Sequence, residues 1–203
     1  MLEDLRKVVC ELNREITRQG LAVMTSGNVS GRDRRTGHIV IKPSGVSYDS
    51  LTPEMLVVVD LEGRVIEGNL KPSVDTETHL VVYRHRPDVG GIIHTHSPYA
   101  TSFAVLGQPI PACVTNVALE FGGPVPIGDY VRIGGPWLGL EIVRSIGKSR
   151  AILMRSHGVF AIGETPFAAF KAAVMLEDCA KTVHLALLRG KPEELSAEEI
   201  EYY

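Results

Sequence analysis

Cysteine is scarce. Cys10, Cys113 and Cys179 are the only three in 203 residues, far apart, odd in number and without a Cys-x-x-Cys pair. That spacing excludes a disulfide framework and a thiolate zinc site, and it fits a reducing compartment such as the cytoplasm. Basic charge is also in short supply. With 21 Lys and Arg against 24 Asp and Glu, the net charge is -3 and the pI is near 6.2. The chain therefore lacks the positive field that binding to nucleic acid or a membrane surface exploits. Its densest basic group, Arg32-Asp33-Arg34-Arg35, contains an acid and falls in an expected turn. No apolar run approaches the roughly 18 residues of a membrane-spanning helix. The N-terminal Met1-Leu2-Glu3-Asp4 carries acids where a signal peptide carries bases. Repeats and low-complexity segments are missing too. The expectation is a soluble, unprocessed protein with no nucleic-acid or membrane partner. At 44% hydrophobic content, residues 1–203 suffice for a single well-cored domain.

What the chain does have is a succession of short periodic segments. Leu2, Leu5, Val8, Val9, Leu12 and Ile16 recur at helical spacing up to Gly20. A strand is expected at His38–Ile41, and a hairpin of Leu56–Asp60 with Arg64–Glu67 across Glu62-Gly63. Ser73 to Arg86 reads as a helix with Asp75 in its first turn, and His79 and His85 along it read as structural or exposed. Ser97-Pro98 starts a short helix to Leu106. Residues from Ala112 to Gly128 read as strand and turn, and a helix is expected from about Trp137 to Ile146. Strand Val159–Gly163 then leads to a long helix capped by Thr165-Pro166, with an apolar face of Phe170, Ala173, Val174, Ala180 and Leu185. Leu195 to Tyr203 reads as the start of another helix.

The chemistry concentrates in Gly90-Gly91-Ile92-Ile93-His94-Thr95-His96-Ser97. Side chains of a strand alternate faces, so His94 and His96 point one way and Thr95 the other. On its own such a pair is an ordinary polar strand end. A third histidine, His157, follows the apolar run Ala151–Met154, so two strand ends can bring three imidazoles to one sheet edge. Three protein nitrogens leave a coordination position for a fourth ligand or a substrate, the pattern of a catalytic rather than a structural zinc site.

Three loops supply small and polar residues: Thr25-Ser26-Gly27-Asn28-Val29-Ser30-Gly31, Lys42-Pro43-Ser44-Gly45 and Lys71-Pro72-Ser73-Val74-Asp75. Each alone reads as a turn. Together, with a lysine leading two of them, they contain the hydroxyls, backbone N–H groups and positive charge of a phosphate site.

These segments, in this order along nearly the whole chain, resemble the class II aldolase/adducin-like family. The matching residues are Met1–Leu5, Ser26–Ser30, Lys42–Val46, Lys71–Ser73, Asp75-Thr76, His94–Ser97 and Ser156-His157-Gly158. Within the family the resemblance is nearest to the L-ribulose-5-phosphate 4-epimerases. It implies an α/β fold of three layers, α/β/α, around a central mixed, largely antiparallel sheet. It implies Zn²⁺, or Mn²⁺ or Co²⁺, held by His94, His96 and His157 with Asp75 as the acidic fourth group. Gly27, Asn28, Lys42, Ser44, Gly45 and Ser73 would hold the phosphate of a ketose substrate. A fourfold homotetramer with active sites at subunit interfaces is implied as well.

The implied reaction is retro-aldol cleavage between C3 and C4 of the ketose. Re-addition through the other face of the aldehyde makes an epimerase of L-ribulose 5-phosphate and D-xylulose 5-phosphate; release makes an aldolase. Asp75 leans to the epimerase, since L-fuculose-1-phosphate aldolases usually place Glu there. Three departures lean the other way. Leu119 stands where the epimerases have an aspartate, with Glu120 beside it as the substitute proton-transfer group. A catalytic tyrosine near the C-terminus is matched only loosely by Tyr202 and Tyr203, and Val74 replaces a serine. Epimerase is the expected activity, L-fuculose-1-phosphate aldolase the alternative, and a non-catalytic adducin-like binding module the third reading.

Overall fold

A computed structural model describes residues 2–203; the first residue of the Met1–Leu5 match lies outside them. Eight strands form one sheet: β1 (Asn28–Arg32), β2 (Ile39–Ile41), β3 (Val57–Val59), β4 (Val65–Glu67), β5 (Gly91–Thr95), β6 (Ile127–Gly128), β7 (Ala151–Met154) and β8 (Gly158–Gly163). Their order is β4-β3-β2-β1-β5-β8-β7-β6. Every neighbouring pair is antiparallel except β6 with β7. The helices are α1 (Glu3–Arg18), α2 (Thr76–His85), α3 (Pro98–Leu106), α4 (Thr115–Phe121), α5 (Trp137–Ser145), α6 (Pro166–Leu187) and α7 (Ala197–Glu201).

The central strands are apolar on both faces, so each successive residue enters a different core. Ile92, Ile152, Phe160 and Ile162 pack with Leu80 and Tyr83 of α2 and with Leu138 and Ile142 of α5. Their neighbours Ile93, Leu153, Val159 and Ala161 pack on the other side with Ile16 of α1, Phe103 of α3 and Leu176 of α6. Helices thus cover both faces of a largely antiparallel sheet, the three-layer architecture expected. The sheet also lets α6 come very close. Gly91 is the register partner of both Gly31 and Gly163, and a Cβ there would lie 2.3 Å from the Cα of Pro166. The glycine row is a groove for the start of α6, and any side chain at Gly91 would lift that helix off the sheet.

Four local expectations are corrected. The stretch Asn28–Gly31 is strand rather than turn, because Ser30 and Val29 are buried between β2 and β5 and their backbone groups are spent in the ladder. Residues 115–121 form α4 rather than strand and turn. Val117, Ala118 and Phe121 make one buried helical stripe, and Gly122 in the left-handed region ends it. On α6 the buried face is Ala169, Ala172, Ala173, Leu176, Cys179, Ala180 and Val183. Phe170 and Val174 flank it half-buried, and Leu185 is 48% exposed, because the glycine groove selects small side chains for the contact. Asp75 precedes α2 as its N-cap residue instead of lying in the first turn, and its side chain caps nothing.

Candidate active site

His94 is the last but one residue of β5, with Asn28 of β1 on one side and Phe160 of β8 on the other. Its ring stacks on Phe160 at a centroid distance of 4.3 Å and 14°. Its Nδ1 is 2.9 Å from the Val159 carbonyl oxygen. A carbonyl only accepts, so Nδ1 carries the hydrogen and Nε2 keeps its lone pair. That lone pair faces His96, whose Nε2 is 3.0 Å away. His157 sits in the tight turn joining β7 to β8, where Ser156 takes up a left-handed φ of 58°. Its ring centroid lies 4.9 Å from that of His94 and 5.4 Å from that of His96. The next residue must be glycine. A Cβ on Gly158 would stand 2.6 Å from the Thr95 carbonyl oxygen and 2.7 Å from His96 Cδ2.

One ligand atom from each histidine falls within 4.8 Å of the others. Burial pushes the pKa of all three below the ordinary histidine value, and at His94 the neighbouring imidazoles oppose protonation further. Three neutral imidazoles that crowd one another are poor company without a common partner, and Nδ1 of His157 is buried with no hydrogen-bond partner among the described residues. The set fits a divalent ion that favours nitrogen, zinc above all.

Asp75 lines the same cavity, which measures about 300 Å³. Its Oδ2 accepts from Asn28 Nδ2 at 2.7 Å and from the Ser73 hydroxyl at 3.5 Å. It stands beside the imidazole cluster, and its charge raises the proton affinity of each ring.

The three polar loops converge on this cavity. Ser44 N–H donates to the Lys71 carbonyl at 2.9 Å and Ser73 N–H to the Lys42 carbonyl at 3.0 Å, which stitches the second loop to the third. Tyr48 hydroxyl, 2.7 Å from the carbonyls of both Ser26 and Gly27, ties in the first. Gly27, Asn28, Lys42, Ser44, Gly45 and Ser73 all line the cavity. Lys71 is exposed and does not. Lys42 is 2% exposed. Its Nζ lies 4.8 Å over the Tyr48 ring and 3.4 Å from the Pro43 carbonyl, with no carboxylate partner among the described residues. Burial lowers its pKa.

Glu120 is elsewhere. Its carboxylate, buried on α4, pairs with Lys171 of α6 at 2.5 Å and lies 4.0 Å from Arg150. Leu119 is 55% exposed on the same helix, and Tyr202 and Tyr203 lie with Thr115 and Leu195 in a separate hollow. The cavity includes one residue that sequence reasoning passed over, Ile133, 63% exposed at the rim. The adjoining Gly134-Gly135 was its only signal.

Comparison with known proteins supplies the family and the fold. The model of the class II aldolase and adducin N-terminal domain matches residues 7–184. A structure of an L-fuculose 1-phosphate aldolase is 32% identical, superposes with a TM-score of 0.95, and covers 100% of this chain and 95% of its own. YgbL from Escherichia coli, a candidate aldolase/epimerase/decarboxylase, is 26% identical with a TM-score of 0.86, covering 98% of this chain and 97% of its own. L-fuculose-1-phosphate aldolase from Thermus thermophilus is 28% identical with a TM-score of 0.79, covering 94% of this chain and 98% of its own. With the family model spanning most of its length and the sheet, histidine cluster and loops in place, the chain belongs to the class II aldolase and adducin N-terminal domain family.

Proposed function

We propose that the chain is a metal-dependent aldolase that cleaves a phosphorylated ketose between C3 and C4, giving dihydroxyacetone phosphate and an aldehyde. The observation that carries this reading is the meeting, in one cavity, of three neutral imidazoles with a buried lysine that has no acidic partner. A buried cation without a counter-ion is costly. A phosphate group bound by Lys42, the Ser44 and Ser73 hydroxyls, Asn28 and the backbone of Gly27 and Gly45 supplies the missing charge. His94, His96 and His157, with Asp75 as the fourth group, are assigned to Zn²⁺, with Mn²⁺ or Co²⁺ as substitutes. Bound there, the ion supplies Lewis-acid polarisation of the ketose carbonyl and the hydroxyl beside it. Asp75 is the one carboxylate among the cavity-lining residues and is assigned the proton of the C4 hydroxyl. As that proton leaves, the C3–C4 bond breaks, its electron pair stays on C3, the aldehyde departs, and one proton delivered to C3 from Asp75 or solvent completes dihydroxyacetone phosphate.

Epimerisation asks for more than this. C3 must re-attack the aldehyde carbon through its opposite face while the C4 oxygen takes up a proton there, which takes a second proton-transfer group. Leu119 has no proton to offer, and the Glu120 carboxylate is engaged by Lys171. The 32% identical aldolase supports the same choice. The L-ribulose-5-phosphate 4-epimerase reading retains one specific support, the aspartate rather than glutamate at position 75. Incubating the zinc-loaded protein with L-fuculose 1-phosphate and with L-ribulose 5-phosphate separates the two. Release of dihydroxyacetone phosphate from the first should dominate; D-xylulose 5-phosphate as the main product of the second would overturn the proposal.

Assembly around the cavity belongs to the same reading. Val74 and Ile133 line it yet are 65% and 63% exposed in a single chain, apolar surface that a neighbouring subunit would cover. The proposed state is a homotetramer, and light scattering on the purified protein measures it.

A further inference from the structure

The segment that carries the histidine pair has a second side. While His94 and His96 face the cavity, Thr95 and Ser97 turn the other way and are each 1% exposed. There they meet Glu177, near the middle of α6. One carboxylate oxygen of Glu177 accepts the Tyr99 N–H at 2.9 Å and the other the Ala100 N–H at 2.8 Å. The nearby Ser97 hydroxyl favours the charged form of that carboxylate, and the Thr95 hydroxyl reaches Ser97 Oγ at 3.4 Å.

Helix α3 requires such a partner. It begins with Pro98, which has no N–H, and its N-cap Ser97 makes no capping bond of its own, so Tyr99 and Ala100 present orphan donors that Glu177 satisfies. A carboxylate also suits the positive end of the helix dipole. For helix stability alone, a cap from Ser97 would be the local solution. A cap delivered from α6, 78 and 77 positions along the chain, does something more: it ties the segment leaving His96 to a helix packed across β5 and β8. His96 needs that tie. It lies past the last residue of β5, outside the ladder, held by a 3.2 Å bond from its N–H to the Leu21 carbonyl.

We propose that Glu177 is a positioning residue for the metal site, holding the His94-Thr95-His96-Ser97 segment from behind so that the two imidazoles stay converged. The inference rests on the reading that the three histidines bind a divalent ion, and the two can fail separately.

The experiment uses the full chain stripped of metal, with Glu177→Ala and Glu177→Gln, and Thr165→Ala as the comparison. Thr165 caps α6 itself, accepting the Ala168 N–H at 3.1 Å, and is remote from the histidine segment in role. Zinc affinity is measured by competition with a chelator, the visible absorption of bound Co²⁺ reports ligand geometry, and thermal unfolding of the metal-free proteins reports stability. Glu177→Ala should weaken zinc binding about 10–100-fold, the range for lost outer partners of metal ligands, and should shift the Co²⁺ bands. Glu177→Gln, which keeps one acceptor, should fall between Ala and the parent; it carries the test if the Ala variant does not fold. Thr165→Ala should melt at a lower temperature with unchanged zinc affinity. The inference is overturned if the Glu177 variants lose thermal stability while binding zinc within about twofold of the parent, or if Thr165→Ala weakens zinc binding just as much. Failure of the metal reading looks different: neither parent nor variants bind zinc.

Discussion

Asn28 and Asp75 lie 47 positions apart and share a 2.7 Å hydrogen bond from amide to carboxylate. The bond joins the first residue of β1 to the residue that precedes α2, and it holds the carboxylate at the wall of the cavity. Asp75 is 8% exposed, so Asn28→Ala leaves a buried carboxylate short of its strongest donor. Urea unfolding of the metal-free variant should show a loss of about 1–3 kcal/mol, and under the proposed function turnover of the ketose phosphate should drop at least tenfold, because the carboxylate proposed to accept the proton is no longer fixed. A variant with full stability and turnover would remove Asn28 from this role.

Lys42 sets stability against its proposed role in binding phosphate. Because its folded pKa lies below 10.5, the unfolded chain holds the proton more tightly, and at neutral pH the buried charge works against folding. Lys42→Met removes that charge while keeping most of the aliphatic stem. The expected result is a metal-free protein as stable as the parent or more so, together with a rise in KM for the phosphorylated ketose of about tenfold or more and loss of inhibition by inorganic phosphate. Unchanged KM and unchanged phosphate inhibition would remove Lys42 from its proposed role in binding phosphate.

The convergence of the three histidines was legible because strand geometry is strict. Once Ile92-Ile93 is read as a strand, His94 and His96 must share a face, and the apolar run before His157 makes a second strand end. The loops were legible from composition, but their mutual arrangement was not, since Ser44 to Lys71 and Ser73 to Lys42 are backbone bonds that no side-chain pattern announces. Glu120 shows the limit from the other side. Its place beside Leu119 suggested chemistry, and only the fold reveals Lys171, 51 positions away, closing on its carboxylate. Helix α4 itself escaped notice because its seven residues include β-branched Thr115 and Val117, which locally favour strand. Glu177 gave no sign at all, being one more acid on a long helix.

Gly158 links the turn to the histidine cluster by exclusion of volume. In Gly158→Ala the new methyl would need the space of the Thr95 carbonyl and the His96 ring edge, both under 3 Å away. Both must move, and His96 has the freer path because it lies beyond the strand. Zinc affinity should fall by about tenfold or more, with a stability loss of roughly 1–3 kcal/mol in the metal-free protein. Retention of parental zinc affinity would show that the histidine cluster tolerates a displaced His96.

His79 contributes to the acid sensitivity of the fold. It is fully buried, with Nδ1 2.8 Å from the Ser30 hydroxyl, which is in turn 2.8 Å from the Tyr83 hydroxyl; Nε2 has no partner among the described residues. Burial lowers its pKa from 6.5 to about 4. The unfolded chain takes up this proton below about pH 6.5, whereas the folded chain resists it until about pH 4. Between those values the unfolded state holds more protons, so stability is fully present above pH 6.5 and declines as the pH falls towards 4. The difference amounts to roughly 3 kcal/mol for this one group. His94, His96 and His157, lowered in the same direction, add to the decline in the metal-free protein. Urea midpoints of the metal-free parent and of His79→Leu, compared at pH 7 and pH 4.5, isolate the share of His79. The variant should be less stable at pH 7, having lost the bond to Ser30, yet its stability should fall less steeply with acid. Equal falls in parent and variant would mean that the imidazole of His79 is protonated as easily inside the fold as outside it.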